Sequence, residues 1–166
     1  VGTNLAQPDD IAAHGVTLEL YGREFGDFIG ALLEGARIFV FGQGQSHLGF
    51  KADSGYLFVL QDSLNTCMYA AHGGTIDVWD SGSRFAAAGQ NKVLLADGHT
   101  PAPGFKSIHF GSPNEYAFEY LMSGGDNSLH VVMGLRKPDG RGELSLKPRP
   151  YSGKFFMSGA AAGRVF

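Results

Sequence analysis

A glycine recurs every 19 or 20 residues in the first half of this chain, and each time a short apolar or alternating run follows it. A fixed period of this length is typical of a solenoid, in which each repeat is one supersecondary unit whose apolar face is covered by the next repeat. The period therefore predicts an all-β solenoid, an architecture that favours surface and stacking over a local active site. The repeated segments begin at Gly35, Gly55 and Gly74.

The runs after these glycines have the alternation of strands with two different faces. In the third run, Ile76 and Val78 are expected to face inward while Asp77 faces water, because successive side chains of a strand point to opposite faces. Parallel stacking of the runs predicts an interior ladder of Ile38, one residue from 57–59, and Ile76 or Val78.

Composition narrows the class of protein further. The 166 residues are enough for one domain with a real core, and 43% are hydrophobic against 17% charged, which argues against disorder. The net charge of −3, without a basic run, argues against nucleic acid as the main partner. No apolar stretch has the ~18–20 residues of a membrane span, and no signal peptide is visible. A lone Cys67 predicts no internal disulfide and favours a cytoplasmic location.

The first 21 residues are predicted to form a short N-terminal cap. Within it, residues 8–14 have a proline and two aspartates at the start of a helical turn that Gly15 would end. Residues 16–20 alternate with period two and predict a strand with one wet face. Because the chain begins with Val1 and ends in an apolar run at Phe166, we expect it to be part of a longer chain or assembly.

Residues 22–166 are predicted to form the solenoid. A fourth, weaker coil is expected at residues 84–89 and 93–95. Prolines and glycines predict loop insertions near residues 97–114 and 136–150, and such loops on a rigid solenoid are its usual interaction sites.

Three glycine-containing segments, at residues 26–40, 118–134 and 155–166, resemble the glycine-spaced coils of one family, the C-terminal domain of the glutamate synthase large subunit. The resemblance covers most of residues 22–166. The glycines that carry the structural repeat are Gly26, Gly30, Gly35, Gly55, Gly74, Gly124, Gly125, Gly159 and Gly163.

This resemblance implies a right-handed parallel β-helix and a non-catalytic role. The family's domain holds catalytic domains in register, so we expect no cofactor bound by this chain. FMN and iron–sulfur clusters are expected in the partner domains of the same complex. The domain is also similar to the C subunit of formylmethanofuran dehydrogenase, which makes a scaffold of that complex the alternative. The alternative in which the chain is itself catalytic is a stand-alone β-helix hydrolase or a metal-dependent enzyme, and it is the less favoured one.

Histidines and carboxylates are the residues on which such an enzyme would depend. His47 and His72 lie at different positions of their coils, and His109 falls in the predicted loop at 97–114, so a shared metal site is not expected. Asp77 and Asp80, three residues apart, are interpreted as a solvated outer face rather than as general acid and base.

Other sequence features have structural interpretations. Cys67 is expected to be a small buried residue without a reactive setting. The glycine-rich stretch 42–49 lacks the Lys-Ser/Thr of a phosphate-binding loop and is interpreted as a corner. The aromatic residues Tyr116, Phe118 and Tyr120 fit either an interior ladder or a subunit interface, and the sequence leaves both open.

Overall fold

The fold is a solenoid built from one parallel sheet. The computed structural model describes residues 15–85, 98–99, 105–118, 129–138, 143–148, 153–154, 157 and 164–166, and no α-helix occurs among them. All neighbouring strands are parallel and follow one another in chain order. The strands are β1 (Thr17–Glu24), β2 (Arg37–Gln43), β3 (Tyr56–Val59), β4 (Thr75–Val78), β5 (Lys106–His109), β6 (Leu129–Val132) and β7 (Arg164–Val165).

This topology confirms the predicted all-β parallel β-helix. Adjacent parallel strands cannot be joined by a tight hairpin, so each connection must cross over before the next strand begins. Here six such connections carry the chain from one strand to its direct neighbour, which makes each strand with its connection one coil. The right-handed twist of the coils stays a prediction that rests on the general preference for right-handed crossovers.

The core of the first coils is a pair of apolar ladders. Ile38 is in register with Leu57, and Leu57 is in register with Ile76, as the alternation of the strands predicts. All three side chains are fully buried. A second ladder, two residues further along each strand, is also buried and consists of Val40, Val59 and Val78.

The chain leaves each strand through a turn in which residues with left-handed backbone recur at the same place in every coil. For a non-glycine residue this conformation costs ~1–2 kcal/mol. Here it directs the amide N–H toward the next coil, where a carbonyl accepts it at 2.8–3.1 Å. These backbone hydrogen bonds between coils offset the cost of the left-handed conformation. The sequence gives no signal for them. The residues in this column, with φ between 56° and 62°, are Phe28, His47, Thr66, Arg84 and Tyr116.

Side chains of the corners join successive coils as well. The Asp27 carboxylate accepts a hydrogen bond from the Ser46 amide at 2.8 Å, and the Asn65 side-chain oxygen accepts one from the Ser83 amide at the same distance. Asp80 does the same for the Ser112 amide at 2.6 Å. These three corners therefore each supply an acceptor for an amide of the next coil.

The prediction of a loop over 97–114 is wrong for residues 106–109. These residues form β5, which pairs with β4 on one side and β6 on the other. A proline removes a ladder donor only at its own position, and residues 106–109 contain none. The prolines at 101 and 103 lie outside the described residues, and Pro113 forms an isolated bridge with Ser81 beyond the strand.

The second predicted insertion, at 136–150, leaves and rejoins the solenoid as an antiparallel pair. Leu135 and Leu146 form an antiparallel bridge, and the Lys147 amide donates to the Gly134 carbonyl at 2.8 Å. We call residues 135–147 the excursion. The turn predicted at residues 138–140 lies partly outside the described residues.

Three further predictions concern parts of the chain that the structure describes only in part. The helical turn at 8–14 and the strand at 93–95 lie outside the described residues. β1 begins at Thr17 and continues to Glu24, across the expected boundary between cap and solenoid at residues 21 and 22.

Candidate functional sites

The outer face of β1–β3 carries a cluster of five aromatic side chains, which we call the aromatic face. They occupy the positions that alternate with the buried ladders and therefore point away from the core. The Tyr21 and Phe41 rings stack with centroids 4.6 Å apart, and Phe39 lies 6.0 Å from Phe58. The residues of the aromatic face are Tyr21, Phe39, Phe41, Tyr56 and Phe58.

The apolar character of this side of the sheet continues beyond β3. Trp79 and Phe110, which follow β4 and β5, stack with ring centroids 5.6 Å apart. Leu60 and Met133 are 47% and 45% exposed. Because large exposed apolar patches mark interaction sites in soluble proteins, this side of the sheet is the strongest candidate for a partner contact.

A hydrogen-bonded tyrosine and aspartate lie within this side of the sheet. The Tyr56 hydroxyl donates to the Asp77 carboxylate at 2.6 Å. Burial raises the pKa of Asp77, an effect that the bond from Tyr56 partly offsets, and burial together with Asp77 raises the pKa of Tyr56. Asp77 therefore faces outward as predicted but is only half-exposed, and its Oδ1 atom is buried without a hydrogen-bond partner. Phe58 and Ile108, the residues in register with Asp77 on the two adjacent strands, partly cover its side chain. The sequence predicts a fully solvated aspartate at this position.

The interior of the C-terminal coils contains a pair of histidines where the earlier coils have aliphatic residues. His109 ends β5 in register with Val78, and His130 lies in β6 in register with Ser107. Both imidazoles are fully buried. The Ser107 hydroxyl is hydrogen-bonded to His130 Nδ1 at 2.8 Å. Among the described residues, both ring nitrogens of His109 and Nε2 of His130 have no hydrogen-bond partner.

Phenylalanines surround this histidine pair. The Phe85 ring lies 4.1 Å from His109, while Phe105 and Phe118 lie 4.9 Å and 4.5 Å from His130. The pKa of both histidines is lowered to about 3, by burial for His130 and by burial together with the charges of His130 and Lys147 for His109. The pair is therefore neutral at physiological pH.

Sequence analysis missed the histidine pair because it assigned His109 to a loop. The residue pattern of 106–109 differs from that of residues 37–40, 56–59 and 75–78, because its one apolar residue, Ile108, takes an outward position. Aligning the four strands on their register places Ser107 and His109 at the two ladder positions.

The remaining described histidine and carboxylate candidates lie at separate places in the solenoid. His72 Nδ1 lies 2.8 Å from the Asp53 carboxylate in a half-exposed corner, and His47 stacks on Phe28 with ring centroids 4.6 Å apart. Asp80 is engaged by Lys147 at 2.6 Å. Among the residues that the structure describes, no three His, Cys, Asp or Glu side chains come together in a way that could hold a metal ion.

Cys67 is a buried core residue, as predicted. Burial raises the pKa of its thiol to about 12, an effect that the Ser63 hydroxyl partly opposes. The thiolate is therefore scarce near neutral pH, and thiol nucleophilicity depends on the thiolate.

The glycines assigned to the repeat lie at corners where the structure describes them. Gly55 has a φ of 97°, and a Cβ there would lie 2.4 Å from the Ala36 carbonyl oxygen, so any side chain would collide with the preceding coil. Gly30, Gly35 and Gly74 also have positive φ, whereas a Cβ at Gly26 would meet open space. Four of the assigned glycines lie outside the described residues: Gly124, Gly125, Gly159 and Gly163.

For the aromatic residues at 116–120, the structure supports a different role at each described position. Phe118 is fully buried and belongs to the core. Tyr116 is half-buried, and the Arg84 guanidinium lies 5.9 Å from its ring centroid. Tyr120 lies outside the described residues.

Comparisons of the chain with protein-family models, with curated proteins and with solved structures found no match. No helix among the described residues has the length and hydropathy to cross a bilayer.

Proposed function

We propose that this chain is a non-catalytic structural scaffold of a glutamate synthase-like amidotransferase and oxidoreductase complex, in which it holds catalytic domains in register. The observation that carries the proposal is the aromatic face on a rigid parallel sheet. A set of stacked aromatic rings on the outer side of a solenoid has no role in the fold's own core. Aromatic residues are enriched in protein–protein interfaces.

The construction of the solenoid supports a scaffold role. Three kinds of contact join one coil to the next: the interior apolar ladders, the backbone hydrogen bonds of the left-handed turn residues, and the side-chain acceptors at the corners. The sheet therefore presents its outer face as one continuous surface. Binding residues on rigid elements are held more precisely than those on loops, and less ordering entropy is lost when a partner binds.

The expected partners are the catalytic domains or subunits of the same complex, with FMN and iron–sulfur clusters bound there. This part of the proposal rests on the resemblance of residues 26–40, 118–134 and 155–166 to the glutamate synthase domain. The expected location in the cytoplasm belongs to the same proposal.

The test is recovery of partners with the full-length protein from its own cells. We compare the wild-type chain with the double variant Phe39→Thr and Phe58→Thr, because threonine, like phenylalanine, is favoured in strands while the substitution removes both rings. The matched control is Leu144→Thr, which removes an apolar side chain that is 67% exposed in the excursion. Far-UV circular dichroism checks that each variant folds.

We expect the wild type and the control to carry a partner containing FMN and iron–sulfur clusters, and the double variant to lose it. Tungsten or molybdenum in the recovered partner would instead favour the formylmethanofuran dehydrogenase-like scaffold. A wild-type chain that purifies alone with turnover or stoichiometric metal would contradict both scaffold functions. A double variant that retains its partner fully would contradict the role of the aromatic face.

A further inference from the structure

The two buried histidines have no role in the proposed scaffold function. Apolar residues occupy the equivalent ladder positions of β2–β4, and they stabilise the coils without any polar requirement. In β5 and β6, three imidazole nitrogens in a fully buried site find no hydrogen-bond partner in the described part of the chain. Since leaving a buried polar group unpaired costs ~1–3 kcal/mol, such groups in a native core call for a functional explanation.

A metal ion does not provide that explanation. Two imidazoles give only two protein ligands, and in the part of the chain that the structure describes no third His, Cys, Asp or Glu joins them. Structural zinc sites almost always use four ligands.

We infer that the histidine pair is a pH-sensitive switch: acidification opens the coils of β5 and β6 while those of β2 and β3 stay folded. Protonation of either imidazole would place a cation among Phe85, Phe105 and Phe118, where the described residues supply one hydrogen-bond partner, the Ser107 hydroxyl on His130. A buried unpaired charge is far more costly than a buried neutral group. Because each coil of a solenoid contacts only its neighbours, the C-terminal coils can open without unfolding the rest.

The described neighbours of the pair offer no carboxylate to stabilise the charged form. Val78 on β4, Val132 on β6 and Val165 on β7 are the apolar residues in register with one or other histidine. Besides burial, the charges that lower the pKa of His109 are first that of His130 and then that of the Lys147 amine, and both add to the penalty. Asp80 is already engaged by that amine at 2.6 Å.

The direction of the pH effect on stability, and the pH range over which it occurs, follow from the histidine pKa values in the folded and unfolded states. A histidine whose folded pKa is depressed contributes stability that is present above the unfolded value of ~6.5, and this stability is lost as the pH falls toward the folded value. Both folded values are about 3, so the loss extends from roughly pH 6.5 down to that value. At pH 5.5, two independent sites with an unfolded pKa of ~6.5 increase the open population by about 100-fold relative to pH 7.5.

The test is hydrogen exchange of the full-length protein at pH 7.5 and pH 5.5, corrected for the intrinsic exchange rate. We expect the protection of the β5 and β6 amides to fall by about 100-fold at pH 5.5, and that of β2 and β3 to change by less than threefold. The double variant His109→Leu and His130→Leu should lose this dependence. The control His72→Gln, at a half-exposed corner, should keep it.

A second measurement on the unmodified protein covers the case in which the double variant does not fold. Imidazole NMR signals of His109 and His130 should stay those of neutral rings in the folded protein at pH 5.5. If both rings titrate in the folded state near pH 6.5, or if the protection of β5 and β6 does not change with pH, the proposal is overturned.

Discussion

The N-terminal and C-terminal coils share one strand register but differ in what fills their interior. Between β2 and β4 the ladders are wholly aliphatic and fully buried. In β5 and β6, three of the four corresponding positions hold Ser107, His109 and His130, and phenylalanine rings lie against the two histidines. The backbone of a solenoid therefore fixes where a side chain points, while stability and its dependence on pH are set coil by coil.

The largest expected effect is the loss of an aliphatic ladder residue. Leu57→Ala removes a fully buried side chain and leaves a cavity between two coils, so the free energy of unfolding should fall by ~2–5 kcal/mol. Urea denaturation at pH 7.5 measures it. The adjacent outward variant Phe58→Ala is the control, and its cost should be smaller because its ring is only partly buried. An equal loss of unfolding free energy in the two variants would contradict the assignment of Leu57 to the interior and Phe58 to the outer face.

The next largest change in stability is expected at Asp80, where the N-terminal coils meet the C-terminal coils. Asp80 accepts a hydrogen bond from the Ser112 amide, in the coil of β5, and is paired with Lys147 of the excursion. Asp80→Ala should reduce the free energy of unfolding by ~1.5–3 kcal/mol, the range of hydrogen bonds to charged groups.

Asp80→Asn provides the control for this prediction, because it keeps an acceptor for the Ser112 amide while removing the charge. Urea denaturation should place this variant between the wild type and the alanine variant. If both substitutions leave the urea midpoint unchanged, the side chain does not connect the coils.

The sequence was sufficient for the parts of the fold that depend on period and alternation. The 19- and 20-residue steps between glycines and the alternation around Ile76 specify both the parallel stacking and the aliphatic ladder. The loop interpretation of 97–114 failed at residues 106–109, where the polar residues Ser107 and His109 take the inward positions and the sequence therefore lacks the apolar alternation of the earlier strands.

Two features depend on tertiary contacts and could not be predicted. The left-handed turn residues include Phe28, Thr66 and Arg84, whose residue types do not favour that conformation; the hydrogen bonds to the next coil impose it. The partial burial of Asp77 results from residues of three different strands coming together. The aromatic face follows from register, which brings together rings that are separated in the sequence.

A smaller change in stability is expected when glycine replaces a residue with left-handed backbone in the turns. Lys51 is exposed and has a φ of 51°, so Lys51→Gly relieves a left-handed strain of ~1–2 kcal/mol. The added freedom of glycine in the unfolded chain offsets part of this gain, which leaves a net stabilisation of about 0.5–1 kcal/mol. Thermal unfolding compares it with Lys106→Gly in β5, where the backbone is extended and glycine should destabilise. A lower Tm for Lys51→Gly would contradict the turn geometry.

The smallest expected effect concerns the outer ion pair of the excursion. Lys137 Nζ lies 2.7 Å from the Asp62 carboxylate, and both side chains are more than a third exposed. Lys137→Ala should therefore change the free energy of unfolding by less than ~1 kcal/mol, and added salt should remove the difference. Urea denaturation at low and high salt checks this, and a large salt-independent loss would show that the excursion is a structural part of the solenoid.

The most direct test of the difference between the two regions is urea unfolding followed by two probes at two pH values. Trp79 is the single tryptophan and stacks on Phe110, so its fluorescence reports on the junction of the N-terminal and C-terminal coils. Far-UV circular dichroism reports on all coils together. The account predicts that the two transitions coincide at pH 7.5 and that the fluorescence transition moves to lower urea than the dichroism transition at pH 5.5. Coincident transitions at both pH values would show that the solenoid unfolds as one unit and would contradict the account.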